Sequence, residues 1–223
     1  MLPHEHQKKA ISERIPGHDG QEAVVHAHYL QLFDTAESLG ASVAAFLTAG
    51  RALNERLLVL CTGVHWPAVA EALRARALDP DVAIRDGELT VLDADELLAR
   101  ITRRGQPSRS LFRQILGSIV DRLCSESETG ARIYGELVEL LAQEGNYQGA
   151  ERLEQFWNEL GREHPFTLLC GYSAAHFAAP DAGSALAAIC LQHSGTFTHA
   201  GDALGHFLLK AERERADNVS AAG

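Results

Sequence analysis

Lysine is scarce in this sequence, and its positions exclude several kinds of active site. The 223 residues include only Lys8, Lys9 and Lys210, so no lysine lies between positions 10 and 209. A Walker A lysine, a Schiff-base lysine or a kinase strand lysine would have to lie within the folded core. The sequence therefore predicts that the protein does not hydrolyse ATP or GTP.

Basic charge and long apolar segments are also lacking. The formal net charge is −10, whereas a protein that binds nucleic acid directly needs a basic surface for the phosphates. No apolar run approaches the roughly 20 residues that span a bilayer. The first 20 residues have no apolar core of the kind found in a signal peptide. We therefore expect a cytoplasmic protein that binds neither nucleic acid nor a membrane directly.

Closely spaced cysteine pairs are missing as well. Cys61, Cys124, Cys170 and Cys190 are far apart in the sequence and form no CxxC motif. Three of them end apolar runs, "LLVLC", "FTLLC" and "LAAIC". This setting favours buried free thiols over a disulfide framework.

Apolar runs of strand length alternate with helical segments along the chain. "ERLLVLC" and "PFTLLCGY" are nearly continuous apolar runs, which is typical of strands covered on both faces. We predict an α/β fold with a mostly parallel sheet flanked by helices. The domain is predicted over residues 22–209, between disordered tails at 1–21 and 210–223.

Polar side chains accompany the ends of several predicted strands. Parallel sheets bind ligands beyond the carboxyl ends of their strands, so these side chains are expected to meet at one edge. We predict a ligand pocket there, lined by His28, Thr62, His65, Glu136, Cys170 and Tyr172. His28 differs from the others because it falls within its strand rather than beyond it.

Two carboxylates in "RIYGELVELLAQEGNYQGAERLEQFWNEL" receive different interpretations. Glu136 begins a helix on its polar face, so we expect an accessible site residue whose replacement by Gln costs about 1 kcal/mol or less. A helix cap matched to the helix dipole is the alternative. Glu154 flanks an apolar stripe that contains Leu153 and Trp157, both predicted to be core residues. We expect Glu154, Trp157 and Asn158 to give structural support.

Motifs for metal binding and for nucleophilic catalysis are not found. His26 and His28 share one strand face, but HExxH and CxxC are missing and no acidic ligand stands at a familiar spacing. A structural or ligand-contacting role is therefore favoured over metal binding for both histidines. A GxSxG elbow is missing too. The sequence predicts no metal and no cofactor.

Several stretches of the chain resemble one known family. "HYLQLFDTAESLGASVAAFLTAGRALNERLLVLCT" resembles the opening of the MEDS domain, the methanogen/methylotroph, DcmR-type sensory domain. "GELTVLDA" is similar to its "GRLxxLDA", and the stretch from Arg132 to Leu160, followed by "FTLLCGY", resembles its most specific segment. The resemblance covers about residues 24 to 195, with Leu137 and Ala142 standing where the family usually has Met and Trp.

The resemblance implies a degenerate RecA/KaiC-like domain that senses small, hydrocarbon-like molecules and lacks ATPase activity. "TGVHWPAV" then stands where a phosphate loop belongs, without the GK[ST] ending. Such domains commonly occur beside histidine kinase or DNA-binding segments, and this chain has no length for either. We therefore expect a stand-alone sensor that signals through a regulatory protein partner, such as a histidine kinase or a transcription regulator. A homodimer is left open.

Two other functions stay open at this point. One is a hydrolase-type enzyme that uses Glu136 as a general base with His28 or His65 nearby. The other is an interaction scaffold without a ligand. A well-formed cavity with a polar rim would argue against the scaffold, and turnover of a substrate would argue for the enzyme.

Overall fold

The computed structural model describes residues 26–177 and 183–197. The predicted tails and both predicted domain boundaries lie outside the described residues. The strands in chain order are β1 Ala27–Phe33, β2 Arg56–Cys61, β3 Leu89–Asp93, β4 Thr102–Arg103, β5 Gln106–Pro107, β6 Ala131–Gly135, β7 Phe166–Ser173 and β8 Gly195–Thr196.

One six-stranded parallel sheet forms the centre of the fold. Its strand order is β3-β2-β6-β7-β1-β8, and every neighbouring pair runs in the same direction. The short strands β4 and β5 form a separate antiparallel pair. The predicted α/β class with a parallel sheet is confirmed. The edge strand β8 was not predicted, because two residues are too few to show a period of two.

Helices follow most strands, as a parallel sheet requires. They are α1 Ala36–Arg51, α2 Trp66–Ala75, α3 Pro80–Arg85, α4 Ala94–Ile101, α5 Arg109–Phe112, α6 Ser118–Ser125, α7 Leu137–Gln143, α8 Tyr147–Gly161 and α9 Gly183–Cys190. A π-helical turn, Arg113–Gly117, joins α5 to α6, where the sequence predicts a continuous amphipathic helix. Asp93 caps α4, since its Oδ1 accepts a hydrogen bond from the backbone N–H of Glu96 at 2.9 Å.

The helices form one layer on each face of the sheet. One hydrophobic cluster joins α1, α2 and α3 to the first face, which includes Leu57 and Val59 of β2. The other joins α4 to α9 to the second face, which includes Leu58 and Leu60 of the same strand. Alternation along β2 therefore supplies both cores. Within the described part of the chain, no helix has the length and apolar character needed to cross a membrane.

The four cysteines form no disulfide with one another, as predicted. Cys61, Cys170 and Cys190 are buried and Cys124 is half-buried. Trp157 and Leu153 lie in the core, with exposed fractions of 1% and 0%. The indole ring of Trp157 makes edge-to-face contacts with Phe112 and Phe166, so the prediction that Trp157 and Leu153 are core residues is confirmed.

Candidate functional site

The six residues predicted to line one pocket are divided between two buried carboxylates. Thr62 and His65 bind Glu136, which directly follows β6. The other three, His28, Cys170 and Tyr172, contact Glu154 of α8. The structure therefore builds two separate groups from them. We call these the Glu136 group and the Glu154 group.

Glu136 lies at the carboxyl edge of the sheet, but it is not accessible. Its side chain has no exposed surface, because its backbone N–H continues the β2–β6 pairing by donating to the carbonyl oxygen of Leu60 at 2.9 Å. It occupies the N-cap position of α7 without capping that helix through its side chain. The expectation of an accessible residue on a polar helix face was therefore wrong.

Four hydrogen bonds converge on the carboxylate of Glu136. Its Oε2 accepts from the backbone N–H and the hydroxyl of Thr62 at 3.0 and 3.1 Å, and from Nδ1 of His65 at 2.9 Å. Its Oε1 accepts from the hydroxyl of Tyr134 at 2.8 Å. Four donors hold this buried carboxylate at a fixed position.

The ring of Tyr134 lies against Gly171 of the neighbouring strand β7, and its hydroxyl contacts Glu136. A Cβ atom on Gly171 would lie 2.7 Å from the phenolic oxygen of Tyr134, so any larger residue would displace the ring. Burial, together with the charge of Glu136, raises the pKa of Tyr134 well above its ordinary value. The phenol therefore acts as a hydrogen-bond donor. Sequence reasoning did not include Tyr134, because it reads simply as an apolar strand residue.

His65 connects the buried Glu136 to an open cleft. Its side chain is 19% exposed and contributes to a cleft of about 390 Å³ at the carboxyl edge. The hydrogen bond to Glu136 raises the pKa of His65, and this effect exceeds the opposing effect of burial. His65 therefore carries a second ring proton in a larger fraction of molecules near neutral pH than an ordinary histidine does.

A second imidazole–carboxylate pair lies on the same cleft. Nε2 of His176 binds Oε1 of Glu139 at 2.8 Å, and the backbone N–H of Ser173 donates to the other oxygen at 2.8 Å. Burial raises the pKa of Glu139, although both hydrogen bonds oppose this. Sequence reasoning missed this pair because His176 lies in a 3₁₀ turn after β7, where no periodic pattern marks it.

The cleft combines apolar and polar walls. Its other contributors come from the ends of β1 and β2, from the starts of α1 and α4, and from the middle and end of α7; they are Phe33, Asp34, Thr35, Ala36, Thr62, Val64, Asp95, Leu140 and Gln143. A volume of about 390 Å³ falls within the range of small-molecule sites. The chemistry available is hydrogen bonding by two imidazoles, beside an apolar surface and the exposed carboxylates of Asp34 and Asp95.

The loop after β2 does not present its polar groups to a phosphate. In a phosphate-binding loop, backbone N–H groups and a hydroxyl face the ligand. Here both the N–H and the hydroxyl of Thr62 are directed to Glu136. Because these donors are already bound to a carboxylate, this loop is unsuited to hold an anion at Thr62.

Glu154 is the centre of an enclosed group between α8 and the sheet. Its Oε1 accepts from the hydroxyl of Tyr172 at 2.6 Å, and its Oε2 accepts from Sγ of Cys170 at 3.3 Å. Nε2 of His28 lies 3.2 Å from Oε2, and Nε2 of His193 lies 3.2 Å from Oε1. All five side chains are buried.

The environment of Glu154 stabilises its ionised form. Burial disfavours the charge, but His193 and His28 outweigh this and hold the pKa of Glu154 below its ordinary value. Burial and the charge of Glu154 raise the pKa values of Cys170 and Tyr172, so both side chains keep their protons and donate them.

The expected supporting residues lie around this group. Asn158 accepts a hydrogen bond from Nδ1 of His28 at 2.9 Å through its Oδ1, one helical turn from Glu154. His193, which sequence reasoning missed, follows α9 in a segment without periodicity and comes to Glu154 only through the path of the chain. Glu154 is thus more central than a supporting residue, because four side chains converge on it.

A groove at the opposite edge of the sheet gives a useful comparison. It has about 410 Å³ and is lined by charged and polar residues near the amino ends of β2, β3 and β6, including Arg51, Arg56, Glu88 and Glu128. Its size matches that of the cleft, but ligands of parallel sheets favour the carboxyl edge. The cleft beside His65 is therefore the stronger candidate site.

Comparison with known proteins gives one family. A search of curated proteins finds no match. A family model described as MEDS, the methanogen/methylotroph, DcmR sensory domain, matches residues 27–190, which is more than half of the chain. Both carboxylate groups lie within this range, apart from His193, which follows it. The chain therefore belongs to the MEDS family of sensory domains.

Proposed function

We propose that this protein senses a small organic molecule that binds in the cleft beside His65. One observation carries the proposal. An imidazole with a raised pKa, fixed by the fully buried Glu136, faces a cleft of about 390 Å³ at the ligand-binding edge of the sheet. Membership of a sensory family supports a role in signalling, rather than in turnover, for this cleft.

The walls of the cleft suggest the chemistry of the ligand. Phe33, Val64 and Leu140 offer apolar surface, while His65 and His176 offer ring nitrogens that can form hydrogen bonds. A short carbon skeleton that carries a hydrogen-bond acceptor would use both kinds of wall. A ligand of this kind agrees with the expectation of a small, hydrocarbon-derived molecule. We also propose that the protein signals to a regulatory protein partner.

Isothermal titration calorimetry with short-chain alcohols, ketones and carboxylates tests binding. His65→Gln should weaken binding about 10-fold or more, since a hydrogen bond from a charged donor contributes about 1.5–3 kcal/mol. Leu140→Trp should weaken it by filling the cleft. Glu128→Gln, in the groove of similar volume at the other edge, is the matched control and should bind normally. Binding that is unaffected by both cleft variants would contradict the proposal.

A hydrolase is the second candidate, and it depends on a specific contact. Nδ1 of His65 is held by Glu136 at 2.9 Å while the ring faces the cleft, which is the arrangement of a general base with its orienting carboxylate. His28 binds the other carboxylate, Glu154, so it does not take part in this pair. Substrate turnover that disappears in His65→Gln and persists in Glu128→Gln would favour the enzyme over the sensor.

A further inference from the structure

The Glu154 group has the composition and spacing of a metal site. One ligand atom from each of His28, Glu154, Cys170 and His193 can be chosen so that all four lie within 4.8 Å of one another. Each of these residues is buried. They come from β1, α8, β7 and the segment after α9, so the fold brings together donors that are far apart in the sequence.

The outer nitrogen of each imidazole is fixed by a hydrogen bond. Nδ1 of His28 faces Oδ1 of Asn158 at 2.9 Å, and the amide of Asn158 is oriented by donating to the carbonyl oxygen of Gln192 at 2.8 Å. Nδ1 of His193 faces the carbonyl oxygen of Ile189 at 2.8 Å. Both oxygens can only accept, so Nδ1 carries the proton in each ring.

This tautomer directs an unprotonated Nε2 of each neutral imidazole towards Glu154. For His28, two acceptors then face each other, because Nε2 lies 3.2 Å from Oε2 of Glu154. Such a contact is stable only with a positive charge between the atoms, supplied by a proton or by a metal ion. Metal-binding histidines show the same pattern, with Nδ1–H donated to a carbonyl or carboxylate and Nε2 on the metal.

Several separations within the group match those around a four-coordinate ion. Bonds of about 2.0–2.3 Å from zinc to nitrogen, oxygen and sulfur give tetrahedral ligand–ligand distances of about 3.3–3.5 Å. Here Nε2 of His28 and Sγ of Cys170 are 3.3 Å apart, and Sγ lies 3.3 Å from Oε2 of Glu154. Nε2 of His193 lies 3.2 Å from Oε1 of the same carboxylate. The most widely separated pair of ligand atoms lies within 4.8 Å, so an ion would draw that pair together by up to about 1.3 Å.

The charges of a divalent ion and these four ligands also cancel. A divalent ion with one thiolate, one carboxylate and two neutral imidazoles has no net charge, which suits a fully enclosed position where isolated charges are costly. Tyr172 would hold the carboxylate from behind, since its hydroxyl donates to Oε1 of Glu154 at 2.6 Å. Outer hydrogen bonds of this kind orient metal ligands.

We propose that His28, Glu154, Cys170 and His193 form a closed, four-coordinate site for a divalent transition-metal ion, and that Zn²⁺ fits this ligand set best. Mixed nitrogen, sulfur and oxygen ligands select zinc over magnesium or calcium, which take oxygen ligands. On loading, Cys170 loses its thiol proton to solvent and the thiolate binds the ion. The site stands apart from the cleft and would tie β1, β7 and α8 together. It departs from the expectation that no metal is bound.

Refolding in the presence of metal is the test, because the site is enclosed. The full chain without a histidine tag is unfolded with guanidinium and a chelator, then refolded with Zn²⁺ or Co²⁺ and passed over a desalting column. We expect close to one ion per chain by elemental analysis. Co²⁺ should give a thiolate charge-transfer band in the near ultraviolet and intense visible bands typical of tetrahedral coordination.

Matched variants assign the ion to these residues. Cys170→Ser should lose the charge-transfer band, while Cys61→Ser, another buried thiol, should keep it. Asn158→Ala and Tyr172→Phe should lower the metal affinity about 10- to 100-fold, as loss of outer hydrogen bonds does elsewhere. Replacing His4 and His6 with Ala should leave the stoichiometry unchanged and so separates this site from binding by the amino-terminal segment.

Several results would overturn the proposal. A chain that refolds with metal present but retains none has no such site. A cobalt band that persists in Cys170→Ser, or an affinity that is unchanged in both Asn158→Ala and Tyr172→Phe, would place the ion elsewhere. If Cys170→Ser does not fold, the wild-type cobalt band and the Asn158→Ala affinity decide. Loss of the band in Cys61→Ser would equally refute the assignment.

Discussion

Replacement of Glu136 tests the centre of the candidate site most directly. The carboxylate has no exposed surface and accepts four hydrogen bonds, three of them at Oε2. In Glu136→Gln, the amide oxygen can take the place of Oε2 and keep the contacts with Thr62 and His65. The amide nitrogen then faces Tyr134, whose hydroxyl can turn to accept.

The expected loss of stability follows from the change in charge. Hydrogen bonds to charged groups contribute about 1.5–3 kcal/mol and neutral ones about 0.5–1.5 kcal/mol. Three bonds that become neutral therefore lose about 3 kcal/mol in total, part of which is offset because a buried charge is removed. We expect Glu136→Gln to lower the free energy of unfolding by about 1–3 kcal/mol. Glu136→Ala should cost about 4 kcal/mol or more, since it leaves buried donors unpaired beside a cavity.

Urea denaturation near pH 6 measures these costs, provided that the transitions are two-state. Glu144→Gln, at an exposed carboxylate at the end of α7, is the control and should change stability by about 0.5 kcal/mol or less. NMR titration of His65 should show its pKa falling in Glu136→Gln, because the hydrogen bond that raises it is weakened. A cost of about 1 kcal/mol or less for Glu136→Ala would refute the reasoning, since it would mean that these hydrogen bonds contribute little.

Three further predictions concern the hydrophobic core, the pH dependence of stability and the lack of nucleotide hydrolysis. Trp157→Ala should lower the free energy of unfolding by about 3–5 kcal/mol, measured by urea denaturation. Trp66→Ala, at a half-buried position, should lower it by less. Equal losses would contradict the deeper burial of Trp157. The raised pKa of His65 means that its contribution to stability is full below its unfolded pKa of 6.5 and is lost as pH rises through the folded value. The difference in free energy of unfolding between wild type and His65→Gln should therefore shrink above pH 6.5. A difference that grows with pH would contradict the raised pKa of His65. The purified protein should not hydrolyse ATP or GTP, because no lysine lies between positions 10 and 209; saturable turnover that survives purification would contradict this.

The sequence predicts the sheet well because burial on both faces leaves a plain signal. The runs that became β2 and β7 are apolar at nearly every position, which is typical of a strand covered by helices on both sides. The π-helical turn at Arg113–Gly117 is not predictable from the pattern, since a single extra residue in a helical turn barely changes the hydrophobic period. The short edge strand β8 likewise leaves no recognisable pattern in the sequence.

The candidate site was predicted less well, for a physical reason. A helical wheel placed Glu136 on a polar face and implied solvent beyond it. The residue instead precedes the helix and continues the pairing of β6 with β2, which buries it under Thr62 and His65. Which residues face a carboxylate depends on how distant segments of the chain pack against it, as with His176 and His193. The periodicity of one helix or strand does not show which distant segments pack against it.

The two carboxylate groups share one strand, and this constrains how they can influence each other. On one face of β7, Gly171 is in contact with the phenol of Tyr134, which binds Glu136. On the other face, its neighbours Cys170 and Tyr172 bind Glu154. A shift of Tyr134 on ligand binding would press directly on the backbone of Gly171, because no side chain lies between them to absorb it. Contact alone is not coupling. Any coupling would, however, require β7 to move, and the Glu154 group fastens that strand to β1 and α8. A metal ion at Glu154 would therefore oppose such movement of β7.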